Sequence, residues 1–501
     1  MKKILGIDIG TTNVKAALFD LNGNRVAAAT IPYPTVHEPI GWAEQQPCDW
    51  YAGVIKAVRE LLLTGDQKPG DIVCVCLDGH IRSVAFLDRA FETVYPGIIW
   101  SDTRSADIAE EMNDRYGSLL TDETGNRADT NYALPNIVWL QRNRPELWAR
   151  TAYLATPKDY VVQKLTGRFV SDASTQAGSL LIHVDSKKWS EELLDLFGIR
   201  AEMLPILRTS AASAGSVTRQ AALATGIPEG VPVIVGGGDN DTAALGAGIC
   251  RHGTLSVSLG TAGIILAPLE RPVRSASEKL DLFSHVAPNQ WYAMGMLKSA
   301  GYALAWLKER STEFGDQSLP TEAWLEQMQI GSESLHPGSH GLFCFPYQQG
   351  RGNPNKDPRA KAAFLGVSAG HRVKHFAQAS MEGVAYCVKQ CVDAIEEAAE
   401  IQSIVCCGGG ANNPVWLQII AAVLGRPVKK NLSAFEGALG SAMIGAAGIG
   451  LFSSVEEACA AYARSGEEIV PQPEHISEYE TLYERFCALS DRLWAPGSET
   501  K

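Results

Sequence analysis

Val231-Pro232-Val233-Ile234-Val235-Gly236-Gly237-Gly238-Asp239-Asn240-Asp241-Thr242-Ala243-Ala244-Leu245-Gly246-Ala247-Gly248 holds more information than any other segment of this chain. Val233, Ile234 and Val235 form an apolar run of the kind found in a buried strand. Gly236, Gly237 and Gly238 then allow a sharp turn and a close approach of backbone to a ligand. The small residues that follow read as a helix packed tightly on its neighbours. Asp239 stands at the junction, where a buried carboxylate is costly unless something needs it. A general base beside a substrate hydroxyl is such a need. The plainer alternative is a glycine turn in which Asp239 or Asn240 caps the helix.

The rest of the chain supplies a context. Ile4–Ile9, Val14–Phe19 and Arg25–Ile31 read as a strand meander, and Asn22-Gly23 is a strong hairpin signal. A helix is expected over Trp50–Leu63, with Val54, Val58, Leu61 and Leu62 on its apolar face. Further strands are expected over Ile72–Cys76 and Ser83–Leu87, so the first half is mixed α/β. In the second half, Thr254-Leu255-Ser256-Val257-Ser258-Leu259-Gly260-Thr261 echoes Leu5-Gly6-Ile7-Asp8-Ile9-Gly10-Thr11-Thr12. One strand–Gly–Thr turn per half suggests a duplicated architecture with a ligand between the halves, although two motifs this short can match by chance. The boundary is placed near Gly246–Gly253, giving domains 1–247 and 248–501. A long helix over Val373–Glu400 carries a core stripe at Met381, Val384, Val388, Val392 and Ile395. Ser403–Cys407 reads as a strand that enters Gly408-Gly409-Gly410-Ala411, with Asn413 as N-cap and Pro414 opening a helix. Such a turn can cradle a nucleotide.

Composition narrows the class. With 501 residues, 46% of them hydrophobic, the chain can build more than one core. Its net charge of −12 argues against nucleic acid or an anionic membrane as main partner. No apolar run reaches transmembrane length. Asp8 and Gly10 interrupt the only candidate signal-peptide core, so a cytoplasmic protein is expected. The 11 cysteines lack paired zinc-site spacing and read as free thiols of a reducing compartment.

Asp8 interrupts an otherwise apolar strand just ahead of Gly10-Thr11-Thr12. That turn offers amides and hydroxyls to phosphates, and a Mg²⁺ held by Asp8 through water would justify the charge. A capping or salt-bridged aspartate is the alternative. No Gly-x-x-x-x-Gly-Lys-Ser/Thr element is present, which disfavours a P-loop enzyme.

Taken together, these motifs resemble the FGGY carbohydrate kinases, a branch of the actin/hexokinase-like ATPases. The resemblance covers nearly the whole chain. It runs through Leu5–Lys15, Gly41-Trp42-Ala43-Glu44-Gln45, Trp100-Ser101-Asp102-Thr103-Arg104 and Pro157-Lys158-Asp159-Tyr160. It continues through Leu165-Thr166-Gly167, Asp172-Ala173-Ser174, Gly236–Asn240, Ser258–Ala262, Ala362–Glu382, Gly408–Ala411 with Gln418, and Glu436–Gly440. The fold it implies is α/β, with two actin-like (ribonuclease H-like) ATPase domains and a nucleotide/sugar cleft between them. It implies ATP and Mg²⁺, a sugar or polyol substrate, and Asp239 as general base. Asp8 would hold the metal through water, with Asp239 a second metal contact. Gly10, Thr11, Thr12, Gly260 and Thr261 would face phosphates, and Gly409, Gly410 and Ala411 the adenosine. A homodimer is left open.

The departures from the family concern the substrate. Ala133 and Asn136 stand where the family's first signature has a small or proline residue and a lysine. Gly350-Arg351-Gly352-Asn353-Pro354 replaces Gly-Glu-Arg-Thr-Pro. His80-Ile81-Arg82 stands where xylulose kinases carry Gln-Met-His and glycerol kinases Gln-Arg-Glu. His80, Arg82, Asp102, Asp239 and Asn240 are therefore the candidate substrate contacts. The alternatives are a turn histidine at His80, an Arg82 salt bridge to Asp78 or Asp102, and an Asp102–Arg104 pair that braces the pocket. An exposed Arg82 fork would favour a ketose, polyol or sugar acid other than D-xylulose or glycerol.

Overall fold

The computed structural model describes residues 1–64, 67–274, 278–312, 319–327 and 336–494. Its first large sheet has six strands, in the order Ser213–Ser216, Pro232–Gly238, Ile72–Gly79, Lys3–Ile9, Asn13–Asp20, Arg25–Pro32. The last three form the expected antiparallel meander, with Gly23 at φ +78° in its second turn. Ile72–Gly79 runs parallel to Lys3–Ile9, and Pro232–Gly238 runs parallel to Ile72–Gly79.

Lys3–Ile9 is buried along its whole length because both faces of the sheet are covered. Strand alternation sends Leu5, Ile7 and Ile9 to the helix Pro47–Leu63, where they pack with Trp50, Val54, Val58 and Leu61. Ile4, Gly6 and Asp8 face the other way, under the helix Glu436–Gly448. That helix lies close to the sheet and to the helix Asp239–Gly246, and small residues make this approach possible. A Cβ on Gly440 would lie 1.9 Å from the Thr242 carbonyl oxygen. Through this helix the C-terminal part of the chain completes the cover of the first sheet, with Ala438, Met443 and Ile444 packing beside Ile4, Cys76, Ile234 and Leu245.

The second large sheet has seven strands, in the order Asp281–Ser284, Trp291–Leu297, Gly263–Leu269, Thr254–Leu259, Ser403–Cys407, Val428–Asn431, Ser465–Ile469. It repeats the plan of the first. Antiparallel strands come first, with Asp281–Ser284 added as an edge strand beyond Trp291–Leu297; then comes a strand lying parallel to the opening strand, and another parallel strand beyond it. Gly10-Thr11 and Gly260-Thr261 occupy the same place in the two plans, between first and second strands. The short echo in the sequence thus reflects a repeat of topology.

Several boundaries differ from those expected. The strand from Ile72 continues to Gly79 and so carries Asp78. The long helix stops at Glu396, one residue after its last core position, Ile395. Pro414–Leu424 follows its signals closely: the Asn413 side chain accepts the Trp416 N–H at 3.0 Å, and Gly425 closes the helix at φ +68°. All eleven cysteines are unpaired, and all but Cys48 and Cys487 are buried. Among the described residues, no helix is long and apolar enough to cross a membrane.

Candidate active site

Three adjacent parallel strands deliver three carboxylates to one end of the first sheet, at the strands' carboxyl ends. Asp8 and Asp78 are directly paired across their strands, and Gly237 and Gly238 pair with Asp78 and Gly79. Asp239 follows one residue later as the first residue of the helix Asp239–Gly246. The carboxyl ends of parallel strands are where open α/β sheets bind ligands.

Gly238, not Asp239 or Asn240, is the N-cap of that helix, and it makes no side-chain cap bond. The capping alternative therefore does not describe Asp239. Its Oδ1 accepts the Asn240 N–H at 2.8 Å, the Asn240 side-chain amide at 3.2 Å and the Ile81 N–H at 3.4 Å. Burial, then the nearby Asp8 charge, pushes its pKa up to about 7. The neighbouring Asp78 is fully buried, and burial together with Asp8 holds its carboxyl well above the usual range. Ser441, on the C-terminal helix, donates to Asp78 at 2.6 Å. Asp8 accepts from Lys15 at 3.4 Å, so the salt-bridged alternative for Asp8 is present in part.

The first Gly–Thr turn is braced from three directions. The Tyr33 hydroxyl donates to the Gly10 carbonyl, Gln45 donates to the Thr11 carbonyl at 2.7 Å, and the Trp100 indole N–H donates to the Thr11 hydroxyl oxygen at 2.9 Å. The Thr11 proton is thereby left to donate elsewhere. Thr12 is exposed, and its hydroxyl oxygen accepts from Asn13. In the second half, strands Thr254–Leu259 and Ser403–Cys407 lie side by side, which brings the Gly260 turn against the triple glycine. A Cβ on Gly408 would lie 3.1 Å from the Gly260 nitrogen, whereas one on Gly409 would meet only open space. Thr261 is exposed, Gly410 half-buried and Ala411 buried. Among the described residues no group of three or more His, Cys, Asp or Glu side chains has the geometry to hold a metal. A single carboxylate with phosphate oxygens and waters fits Mg²⁺, which keeps several waters and is held by few protein ligands.

The sugar-side candidates separate. Asn240 lies beside Asp239. His80 is buried, with Nδ1 2.6 Å from the Ser83 hydroxyl and Nε2 buried without a partner among the described residues. Burial pushes its pKa down to about 3, so it is neutral. Arg82 turns away, but neither to Asp78 nor to Asp102. It pairs with Asp281 on the second sheet at 2.6 Å and sits over the rings of Tyr132 and Phe283, at 4.5 and 5.0 Å. Its residue is left-handed, at φ +70°. Burial tends to raise Asp281, but Lys356 at 2.8 Å and Arg82 hold it down to about 2. Asp102 is fully buried and grips Arg104 at 2.7 and 2.9 Å, while Arg104 also reaches Glu44 and covers the Trp42 ring at 3.6 Å. This is the bracing alternative. Sequence reasoning missed Asp281 altogether, and it named Asp78 only as a salt-bridge partner for Arg82 and Trp100 only within a family motif. Asp78 could have been found, because it breaks an apolar strand in the way Asp8 does.

Residues 3–246 match the FGGY family of carbohydrate kinases, N-terminal domain, and residues 255–449 match the C-terminal domain of the same family. The chain belongs to the FGGY family of carbohydrate kinases. As an FGGY kinase it is a phosphotransferase that uses ATP and acts on an alcohol group of a small sugar substrate. It is 34% identical to a xylulose kinase of Bacillus subtilis over 97% of this chain and 96% of that one. It is 33% identical to a xylulose kinase of Lactococcus lactis over 97% and 95%. A solved xylulose kinase of Rhodospirillum rubrum superposes with a TM-score of 0.88 at 29% identity, covering 98% and 99% of the two chains.

Proposed function

We propose that this kinase transfers the terminal phosphoryl group of ATP to a hydroxyl of a ketose, a pentulose such as D-xylulose, with Asp239 as general base. The observation that carries the reading is the Asp239 carboxylate, placed at a strand end with its pKa raised to about 7. A sugar hydroxyl is a weak acid, and an acceptor with a pKa near working pH takes its proton well as the new P–O bond forms. Two backbone amides fix Asp239 through Oδ1. Its other oxygen has no hydrogen bond to the described residues, which suits an approaching hydroxyl.

Phosphoryl transfer otherwise depends on alignment and charge stabilisation. Gly10, Thr11, Thr12, Gly260 and Thr261 supply amides and hydroxyls for the phosphates. Gly409, Gly410 and Ala411 flank room for the adenosine. Mg²⁺ would neutralise phosphate charge when bound, held by Asp8 through water with Asp239 near enough to contribute. Domains 1–247 and 248–501 each contribute one phosphate turn to the enclosed site. Membership in a kinase family sets aside an ATP-switched binding protein.

Arg82 bears on the substrate. Its guanidinium is neutralised by Asp281, so it offers no unpaired charge to a sugar carboxylate. The reason to expect a sugar acid, or to disfavour D-xylulose, is thereby removed, and the relatives named xylulose kinase support a pentulose. Steady-state kinetics over D-xylulose, other ketoses, glycerol, tetritols and gluconate test this. The expected result is the highest kcat/KM on a pentulose. A preference of tenfold or more for glycerol, a tetritol or gluconate would overturn it.

A pH dependence follows. The base works only when ionised, so kcat/KM for the sugar is expected to fall as pH drops through about 7 and to level off above it. An acid limb near pH 4, the ordinary carboxylate range, would show that the site does not tune Asp239 in this way.

A further inference from the structure

The fold buries a lysine completely, together with two aspartates, against the strand that leads to Asp239. Lys158 and Asp159 are inaccessible to solvent and Asp172 nearly so. A buried ion pair is weak evidence for stability, because desolvation cancels most of the attraction. We propose that Lys158 and Ser174, joined through Asp172, are positioning residues for the catalytic loop: they hold the β-bulge that aims Asp239. The proposal rests on the assignment of Asp239 as general base.

The bulge lies in the strand Pro232–Gly238. Val233 pairs with Val75 and Ile234 with Cys76, but the next pair is Gly237 with Asp78. Val235 and Gly236 therefore stand opposite Leu77 alone. Gly236 takes φ +79°, and a Cβ there would lie 1.7 Å from the Leu77 carbonyl oxygen. A bulge redirects the residues that follow it and takes backbone groups out of the ladder. Those groups need partners.

The Val235 and Gly236 N–H groups go to the Ala212 and Ser210 carbonyls, at 3.0 and 2.9 Å, and the buried network holds the Val235 carbonyl and, just past the bulge, the Gly238 N–H. The Lys158 ammonium donates to the Val235 carbonyl at 3.0 Å and to Asp172 at 2.8 Å. The Ser174 hydroxyl donates to Asp172 at 2.5 Å, so its oxygen is left to accept the Gly238 N–H, at 3.1 Å. Asp172 also accepts from the Ser174 N–H, the Thr175 hydroxyl and the Ser210 hydroxyl, at 3.0, 2.6 and 3.0 Å. Burial works against its charge, yet Lys158 and these donors keep it ionised, with its carboxyl below the usual range. One carboxylate thus organises a cation and a hydroxyl, and each of them grips the backbone of the bulged strand just ahead of Asp239. The direction of the Asp239 side chain follows from where Gly238 is held.

Ser174→Ala, with Ser210→Ala as control, separates positioning from plain stability. Both changes remove one hydroxyl donor from Asp172, but only the first releases the Gly238 N–H. Misplacing a reacting group by about an ångström can cost 10²-fold in rate. Ser174→Ala is therefore expected to lower kcat by about 10–100-fold, with ADP affinity and sugar KM within about threefold of wild type. Ser210→Ala should lose similar thermal stability and keep its kcat, and Ser174→Thr, which keeps the acceptor oxygen, should recover most of the rate. Wild-type kcat in Ser174→Ala, or an equal loss in Ser210→Ala, would overturn the proposal. Asp239→Asn tells the two readings apart. If it is inactive while Ser174→Ala turns over normally, only the positioning inference fails; if it is active, the base assignment fails with it.

Discussion

Asp239→Asn should bind ATP and sugar and yet turn over about 10²–10⁴-fold more slowly than wild type, the usual range for loss of a general base. The substitution keeps the size of the side chain and an oxygen to accept the Asn240 and Ile81 amides. It removes the lone pair that takes the sugar proton. Isothermal titration with ADP and steady-state kinetics measure the two halves of this statement. A second consequence has the opposite sign. The carboxyl titrates near 7 in the folded protein and near 4 in an unfolded chain, so the native state binds its proton more tightly. Its contribution to stability is therefore lost as pH rises from about 4 through 7, and the cost of the charge is complete above 7. Asp239→Asn escapes this cost. Its unfolding midpoint should exceed that of wild type, and by more at pH 8 than at pH 5. Turnover within a factor of a few of wild type would remove Asp239 from its role.

Asp281→Ala should lower the free energy of unfolding by about 3–5 kcal/mol, the range for breaking a buried ion pair from one side. Arg82 and Asp281 are both nearly inaccessible, with side-chain exposures of 4% and 5%. Removing the carboxylate leaves the buried guanidinium between Tyr132 and Phe283 without its charge partner. Lys356 also loses its 2.8 Å partner, but it is partly exposed and can turn to solvent. Arg82→Met combined with Asp281→Leu removes both charges and should recover most of the loss. Denaturant unfolding of the single and double variants checks this. A loss below 1 kcal/mol in Asp281→Ala would show that the pair is far better hydrated than its burial indicates.

Much of the architecture was legible because it rests on local signals. The hairpin at Asn22-Gly23, the cap at Asn413 and the stop at Gly425 each follow from one or two residues with a fixed preference. The repeated plan was legible because a strand closing on a Gly-Thr turn occurs in both halves. The bulge before Asp239 was visible only as glycines: three were equally suspect, and the register with Ile72–Gly79 singles out Gly236 as the left-handed one. Arg82 was beyond reach of the sequence. Its partner lies 199 positions away on the other sheet, and no local rule prefers Asp281 to the nearer Asp78 or Asp102. His80 was ambiguous for the same reason, since a neutral buried imidazole and a sugar ligand look alike in sequence. Lys158 and Asp172 were noted as family motifs, but their use depends on a carbonyl freed by a bulge.

Phosphorus NMR on one reaction mixture tests the central claim most directly. Purified enzyme, MgATP and D-xylulose should yield ADP and a sugar phosphate ester in equal amounts, with negligible ADP when the sugar is omitted. Asp239→Asn under the same conditions should leave the ATP signals nearly unchanged. Ester formation by Asp239→Asn at a rate close to wild type would contradict the assigned base. ADP and inorganic phosphate appearing at the same rate with or without sugar would contradict phosphoryl transfer to a sugar hydroxyl.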